Sequence, residues 1–104
     1  MPEYILDPCV EDELWGIWYF IAQDNPEAAT RVIEAAYVTF KKLAANPGLG
    51  TLRRFRSPSL RNVRSWRITG FEHYLIFYRG VADGIQVNHV YHGAQDIEGL
   101  LGEK

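Results

Sequence analysis

The chain has 104 residues, 47% of them hydrophobic and 23% charged; that length and balance exclude both a disordered tail and two domains each with its own core. Its one cysteine, Cys9, excludes a disulfide framework and paired-cysteine zinc or redox motifs, so a reducing, cytoplasmic compartment is expected. The net charge of -2 hides a division: residues 1–46 carry three bases against eight acids, residues 47–82 seven arginines against Glu72, and residues 83–104 one base against four acids.

Tyr4-Ile5-Leu6 reads as a short strand, followed by Asp7-Pro8, a capping aspartate and a proline suited to a first helical turn. From Val10 to Asp24, Val10, Leu14, Ile17, Trp18 and Ile21 recur at spacings of three and four, with acidic Glu11, Asp12 and Glu13 near the start. Asp24-Asn25-Pro26-Glu27 stops that helix and caps a second, which runs to about Ala45 with Ala29, Ile33, Ala36, Phe40 and Leu43 on one stripe. So short a connection makes the pair an antiparallel hairpin.

Asn46-Pro47-Gly48-Leu49-Gly50 ends the second helix, and the stretch through Asn62 has no period, so it is predicted to be a basic loop. Three strands follow, Val63 to Ile68, Tyr74 to Arg79 and Ile85 to His92, joined as an antiparallel meander. In the last, Ile85, Val87, His89 and Tyr91 alternate with Gln86, Asn88, Val90 and His92, which assigns each set to one face. Gly93 opens a final helix, Ala94 to Leu101. The order β-α-α-β-β-β-α predicts one α+β domain over 1–104, a helical hairpin on a small twisted, mainly antiparallel sheet in which the first strand pairs with a later one. The longest apolar run, Leu14 to Ala22, is too short to span a bilayer, which takes about 20 residues.

The basic middle uses arginine and no lysine, and a guanidinium fork suits phosphate or carboxylate. Trp15, Trp18, Tyr19 and Phe20 give the first helix more apolar surface than one stripe buries, with Trp15 and Tyr19 the candidates for exposure. Arg64, Trp66, Arg67 and Arg79 lie on or beside the meander, and His92 ends it. A histidine base with arginines and Tyr91 nearby would suffice for metal-free cleavage of RNA. His73, His89 and His92 show no acidic or cysteine partner at ligand spacing, and no glycine motif cradles phosphate, so neither metal nor cofactor is expected.

The hairpin segment Ile21-Ala22-Gln23-Asp24-Asn25-Pro26-Glu27-Ala28-Ala29 and the later Leu43-Ala44-Ala45-Asn46-Pro47-Gly48-Leu49-Gly50 resemble the RelE/ParE toxin superfamily. So do Val63-Arg64-Ser65-Trp66-Arg67-Ile68, Tyr74-Leu75-Ile76-Phe77-Tyr78-Arg79 and Val90-Tyr91-His92-Gly93-Ala94-Gln95-Asp96, which look like its strand core and closing HGARD signature. The resemblance implies the toxin of a bacterial type II toxin–antitoxin module, neutralised as a hetero-oligomer by an antitoxin with an acidic, partly apolar tail. Trp15, Tyr19, Arg53, Arg54 and Arg56 are the expected antitoxin contacts, and Arg64, Arg67, Arg79 and His92 the expected target contacts.

Within the superfamily, ParE-like members poison DNA gyrase without being hydrolases, whereas RelE-like members cleave messenger RNA on the ribosome. The hairpin wording and the missing lysines resemble the ParE side; the alternative is a RelE-like nuclease using Arg67, Arg79 and His92. Gln95 stands where the signature has arginine, which implies a lost charge-assisted bond.

Overall fold

The structure, a computed structural model, describes residues 2–93 and 97–101. The chain forms β1 (Glu3–Leu6), α1 (Pro8–Ala22), α2 (Pro26–Ala45), β2 (Thr51–Leu52), β3 (Arg64–Ile68), β4 (Phe71–Val81), β5 (Gly84–His92) and α3 (Ile97–Leu101). The five strands make one sheet, ordered β1-β5-β4-β3-β2. Every pairing is antiparallel except β1 with β5, which is parallel and sets Tyr4 opposite Ile85 and Leu6 opposite Val87. This is the α+β hairpin-on-sheet arrangement that the order of elements predicts, and the first strand does find a later partner. Among the described residues no helix is long and apolar enough to cross a membrane.

Both long helices begin with proline in the first turn, where its missing N–H costs nothing. Asn25 caps α2 by accepting the Ala28 N–H at 3.1 Å. Asp7 occupies the matching position before α1 but does not cap it. Its carboxylate accepts instead from Gln86 Nε2 at 2.6 Å and Asn88 Nδ2 at 3.1 Å, because β5 presents two amides that outcompete the local N–H groups. Asp7 therefore ties the start of α1 to the sheet.

The main core lies between the helices and one sheet face. Val10 and Leu14 of α1 and Val32, Ala36, Phe40 and Leu43 of α2 meet Ile68, Ile76, Tyr78, Ile85, Val87 and Val90. Each of the larger side chains is worth roughly 1.5–3 kcal/mol when fully buried. The buried stripe of α2 is rotated from the predicted one: Val32 is buried and Ile33 only partly so, because α1 packs beside α2 and draws Ile33 into the gap between them. A second, smaller core on the opposite face joins Leu60, Val63, Phe77, Ile97 and Leu101.

Three predictions about the sheet need correction. The stretch after α2 is not entirely irregular: Thr51 and Leu52 pair with Ser65 and Arg64, and short 3-10 turns form at Pro47–Leu49 and Pro58–Leu60. Strand β4 runs on through Gly80 to Val81, so that only Ala82 and Asp83 separate it from β5. The alternation along β5 breaks, because Phe77 faces His89 while Tyr78 faces Val87, leaving Asn88 as an extra residue in a β-bulge. After the bulge Val90 and His92 join the helix-covered face, and His89 and Tyr91 point away from it. The predicted helix from Ala94 is described over Ile97–Leu101; Ala94, Gln95 and Asp96 lie outside the described residues.

Gly84, at φ 137°, begins β5 opposite Glu3 of β1, and a Cβ there would stand 1.7 Å from the Glu3 carbonyl oxygen. Only glycine allows this approach.

Candidate functional site

Helix α1 leaves its aromatic ridge uncovered. Trp15 is 58% exposed, Tyr19 63% and Phe20 70%. Trp15, Trp18 and Tyr19 interlock, with ring centroids 5.4–6.0 Å apart. Trp18 Nε1 donates to Thr30 Oγ1 at 3.3 Å, which fastens the cluster to α2. Leu14, Ile33 and Tyr37 floor an open groove of about 710 Å³ between the helices, with Glu11 and Glu34 at its margin. Apolar in lining and edged by carboxylates, the groove suits an apolar segment with basic flanks.

The arginines are largely engaged within the fold. Arg64 Nη1 donates to the Gly50 carbonyl at 2.8 Å, beside a buried relay in which Gly50 N–H donates to Tyr78 Oη and Tyr78 O–H donates to the Pro47 carbonyl, each at 2.8 Å. Burial pushes the Tyr78 phenol up from 10.0, opposed by the Gly50 N–H and by the Arg64 charge. Arg53 donates to Ser65 Oγ at 3.1 Å and lies over the Phe55 and Phe77 rings. Arg79 holds the loop by donating to the carbonyls of Ser59 and Arg61. Arg67 lies over Trp66 at 4.7 Å and faces Glu72 at 3.7 Å. Arg54 and Arg56 are exposed.

The three residues proposed for nuclease chemistry are not brought together. Arg67 pairs across the sheet with Leu75, and Arg79 stands four residues further along β4 on the same face, about 13 Å away at ~3.3 Å per residue. His92 pairs with Tyr74 on the helix-covered face, where it packs against the His73 and Tyr74 rings. Residues directly opposite in a sheet share a face, so the sheet separates His92 from both arginines.

A polar cluster that sequence spacing hid forms where α1 covers the edge of β5. Strand β1 covers that edge only as far as Val87, and beyond it Glu13 Oε1 accepts the Val90 N–H at 2.9 Å. Glu13 Oε2 stands 2.7 Å from His89 Nδ1, which also has Tyr91 Oη at 2.9 Å and Cys9 Sγ at 3.5 Å. The Cys9 thiol donates to the Asn88 carbonyl at 3.3 Å. Tyr91 stacks on the His89 ring, and its phenol is pushed up to about 12, first by burial and then by the Glu13 carboxylate and Cys9 beside it. His89 thus has the acidic and cysteine partners that its sequence neighbourhood lacks. Four-residue spacing puts Cys9 and Glu13 on one face of α1, a signal present in the sequence, but His89 lies 76 residues from Glu13 and reaches it only in the completed fold.

A search of curated proteins returns no match. A structural match is the "Chromosomal ParDE TA system from P. aeruginosa", with TM-score 0.68 and 17% identity over 88% of this chain and 96% of that one, which is a likeness of fold. The family profile described as "ParE toxin of type II toxin-antitoxin system, parDE" matches residues 4–97, from β1 into α3. Nearly the whole described chain lies within that match, and the protein belongs to the ParE toxin family of type II toxin–antitoxin systems.

Proposed function

We propose that this toxin acts in the cytoplasm by binding DNA gyrase rather than by cutting RNA, and that a cognate antitoxin neutralises it by docking across the α1–α2 groove and the arginine-rich loop. The observation that carries the non-hydrolytic reading is the placement of His92 across the sheet from Arg67 and Arg79, which keeps these three residues from forming one site. Arg67 is half exposed on the sheet face free of the long helices, and with Arg54 and Arg56 it offers positive charge to a target. Arg64 and Arg79 serve the target surface indirectly, by fixing the loop that carries those charges.

The two docking regions favour different parts of one antitoxin tail. Apolar residues belong in the groove, where Glu11 and Glu34 disfavour carboxylates, and the acidic residues belong over Arg54 and Arg56. A tail that orders on binding can cover both.

The test is induction of the toxin without antitoxin, with DNA and protein synthesis followed by pulse labelling in the first minutes. Early loss of DNA synthesis, together with toxin-dependent inhibition of supercoiling by purified gyrase, is expected. Early loss of translation with cut messages overturns the reading in favour of the ribosome.

A further inference from the structure

The Cys9–Glu13–His89 cluster has a donor set richer than a structural hydrogen-bond network requires. One thiol sulfur, one carboxylate oxygen and one imidazole nitrogen lie within 4.8 Å of one another. They come from two elements remote in sequence, the start of α1 and the end of β5. Three groups converge on a single nitrogen, His89 Nδ1, which has one in-plane position and so can serve one of them well. A cation at the centre of the three donors would engage all of them at once.

We propose that Cys9 Sγ, Glu13 Oε2 and His89 Nδ1 bind a thiophilic divalent cation of the zinc class, with Tyr91 Oη or a water as the fourth ligand. A thiolate beside an imidazole and a carboxylate selects zinc over magnesium or calcium, which prefer all-oxygen shells. Tetrahedral zinc with ordinary bond lengths sets its sulfur and nitrogen ligands about 3.6 Å apart and its nitrogen and oxygen ligands about 3.4 Å apart. The cluster already has 3.5 Å between Cys9 Sγ and His89 Nδ1, whereas the 2.7 Å between His89 Nδ1 and Glu13 Oε2 is a hydrogen bond that opens as the cation enters.

The surroundings hold the donors in place. Val90 N–H fixes the other Glu13 oxygen, and the Tyr91 ring stacks on the imidazole at 4.9 Å with an interplanar angle of 18°. The side chains of His89 and Glu13 are only 13% and 19% exposed, so a bound ion would be largely shielded from solvent. Binding is a proton exchange: the Cys9 thiol proton leaves to solvent, and the imidazole carries its proton on Nε2 so that Nδ1 donates its electron pair. No electron is transferred. The ion would cross-link the first helix to the last strand.

Titration of the reduced protein with cobalt(II) and then zinc(II) tests the site. One cobalt per chain is expected, with a thiolate-to-cobalt charge-transfer band and the intense visible bands of tetrahedral coordination, all displaced by zinc. Cys9→Ser should abolish the charge-transfer band. Glu13→Gln, which keeps an acceptor for Val90 N–H, should weaken zinc binding at least tenfold, whereas His73→Gln leaves it unchanged. Zinc at a hundredfold excess over its dissociation constant should raise the melting temperature by on the order of 10 °C in the native chain and not in Cys9→Ser. Absence of stoichiometric binding overturns the proposal. So does binding without the charge-transfer band, or binding that survives Cys9→Ser and is lost in His73→Gln.

Discussion

The helical hairpin and the arginine-rich half of the sheet invert the usual division between holding a fold and binding a partner. Arginine-rich loops are ordinarily read as contact surfaces and tryptophans as core. Here Arg53, Arg64 and Arg79 are bound to Ser65, Gly50, Ser59 and Arg61 of their own chain. Trp15, Tyr19 and Phe20 instead stand in solvent. A loop with little hydrogen-bonded secondary structure must satisfy its carbonyls somehow, and guanidinium groups reach far enough to do so. Helix α1 satisfies its own backbone, which leaves its surplus aromatic surface free to be covered by something else.

The sharpest break of that comparison is Trp15→Ala combined with Tyr19→Ala. Antitoxin affinity should fall at least about 100-fold, since aromatic anchors in interfaces cost ~2 kcal/mol or more each, while the melting temperature stays nearly constant. A large melting shift with intact affinity would return the ridge to a structural role.

Tyr78→Phe tests the opposite half. It strands the Gly50 N–H and the Pro47 carbonyl and should cost about 2 kcal/mol by denaturant unfolding. Its pH dependence supplies a sign. Because the folded protein holds the Tyr78 phenol above its ordinary 10.0, the unfolded chain loses that proton first. The contribution is therefore complete below pH 10 and lost as pH climbs through the raised value, so Tyr78→Phe should show a flatter alkaline decline than the native protein.

Arg79→Ala should cost about 1–2 kcal/mol and speed amide exchange in residues 53–63, because two loop carbonyls lose their donor. Arg54→Ala with Arg56→Ala is expected to be the mildest for stability, within about 0.5 kcal/mol. It should nevertheless flatten the salt dependence of antitoxin binding; an unchanged slope would remove the loop from the interface.

Much of the fold was legible. Proline after a capping residue, apolar spacings of three and four, and Thr69-Gly70 between β-leaning runs place α1, α2 and the β3–β4 turn close to where they form. The exposure of Trp15 and Tyr19 was legible too, because a helix cannot bury aromatic side chains around most of its circumference. What escaped was set by contacts distant in sequence. The bulge at Asn88 leaves no mark in the residue types of β5, yet it exchanges the faces of every residue after it. Asp7 has the sequence of a helix cap and the role of a strand clamp, since Gln86 and Asn88 arrive only with the completed sheet. The arginines could be counted but not apportioned, because the acceptors of Arg64 and Arg79 are backbone carbonyls, which no residue type advertises.

The parallel pairing of β1 with β5 joins segments roughly 80 residues apart in sequence. At ~5–20 residues per second of synthesis, β1 exists for about 4–16 seconds before its partner has been made. During that interval the Val10, Phe40 and Leu43 side chains lack the Ile85, Val87 and Val90 side chains of β5 that complete their core. Every residue lining the α1–α2 groove lies within the first 45, so a nascent chain holds the proposed docking residues before it can complete the sheet. An antitoxin that recognises the groove therefore has the opportunity to engage the toxin while the toxin is still being made.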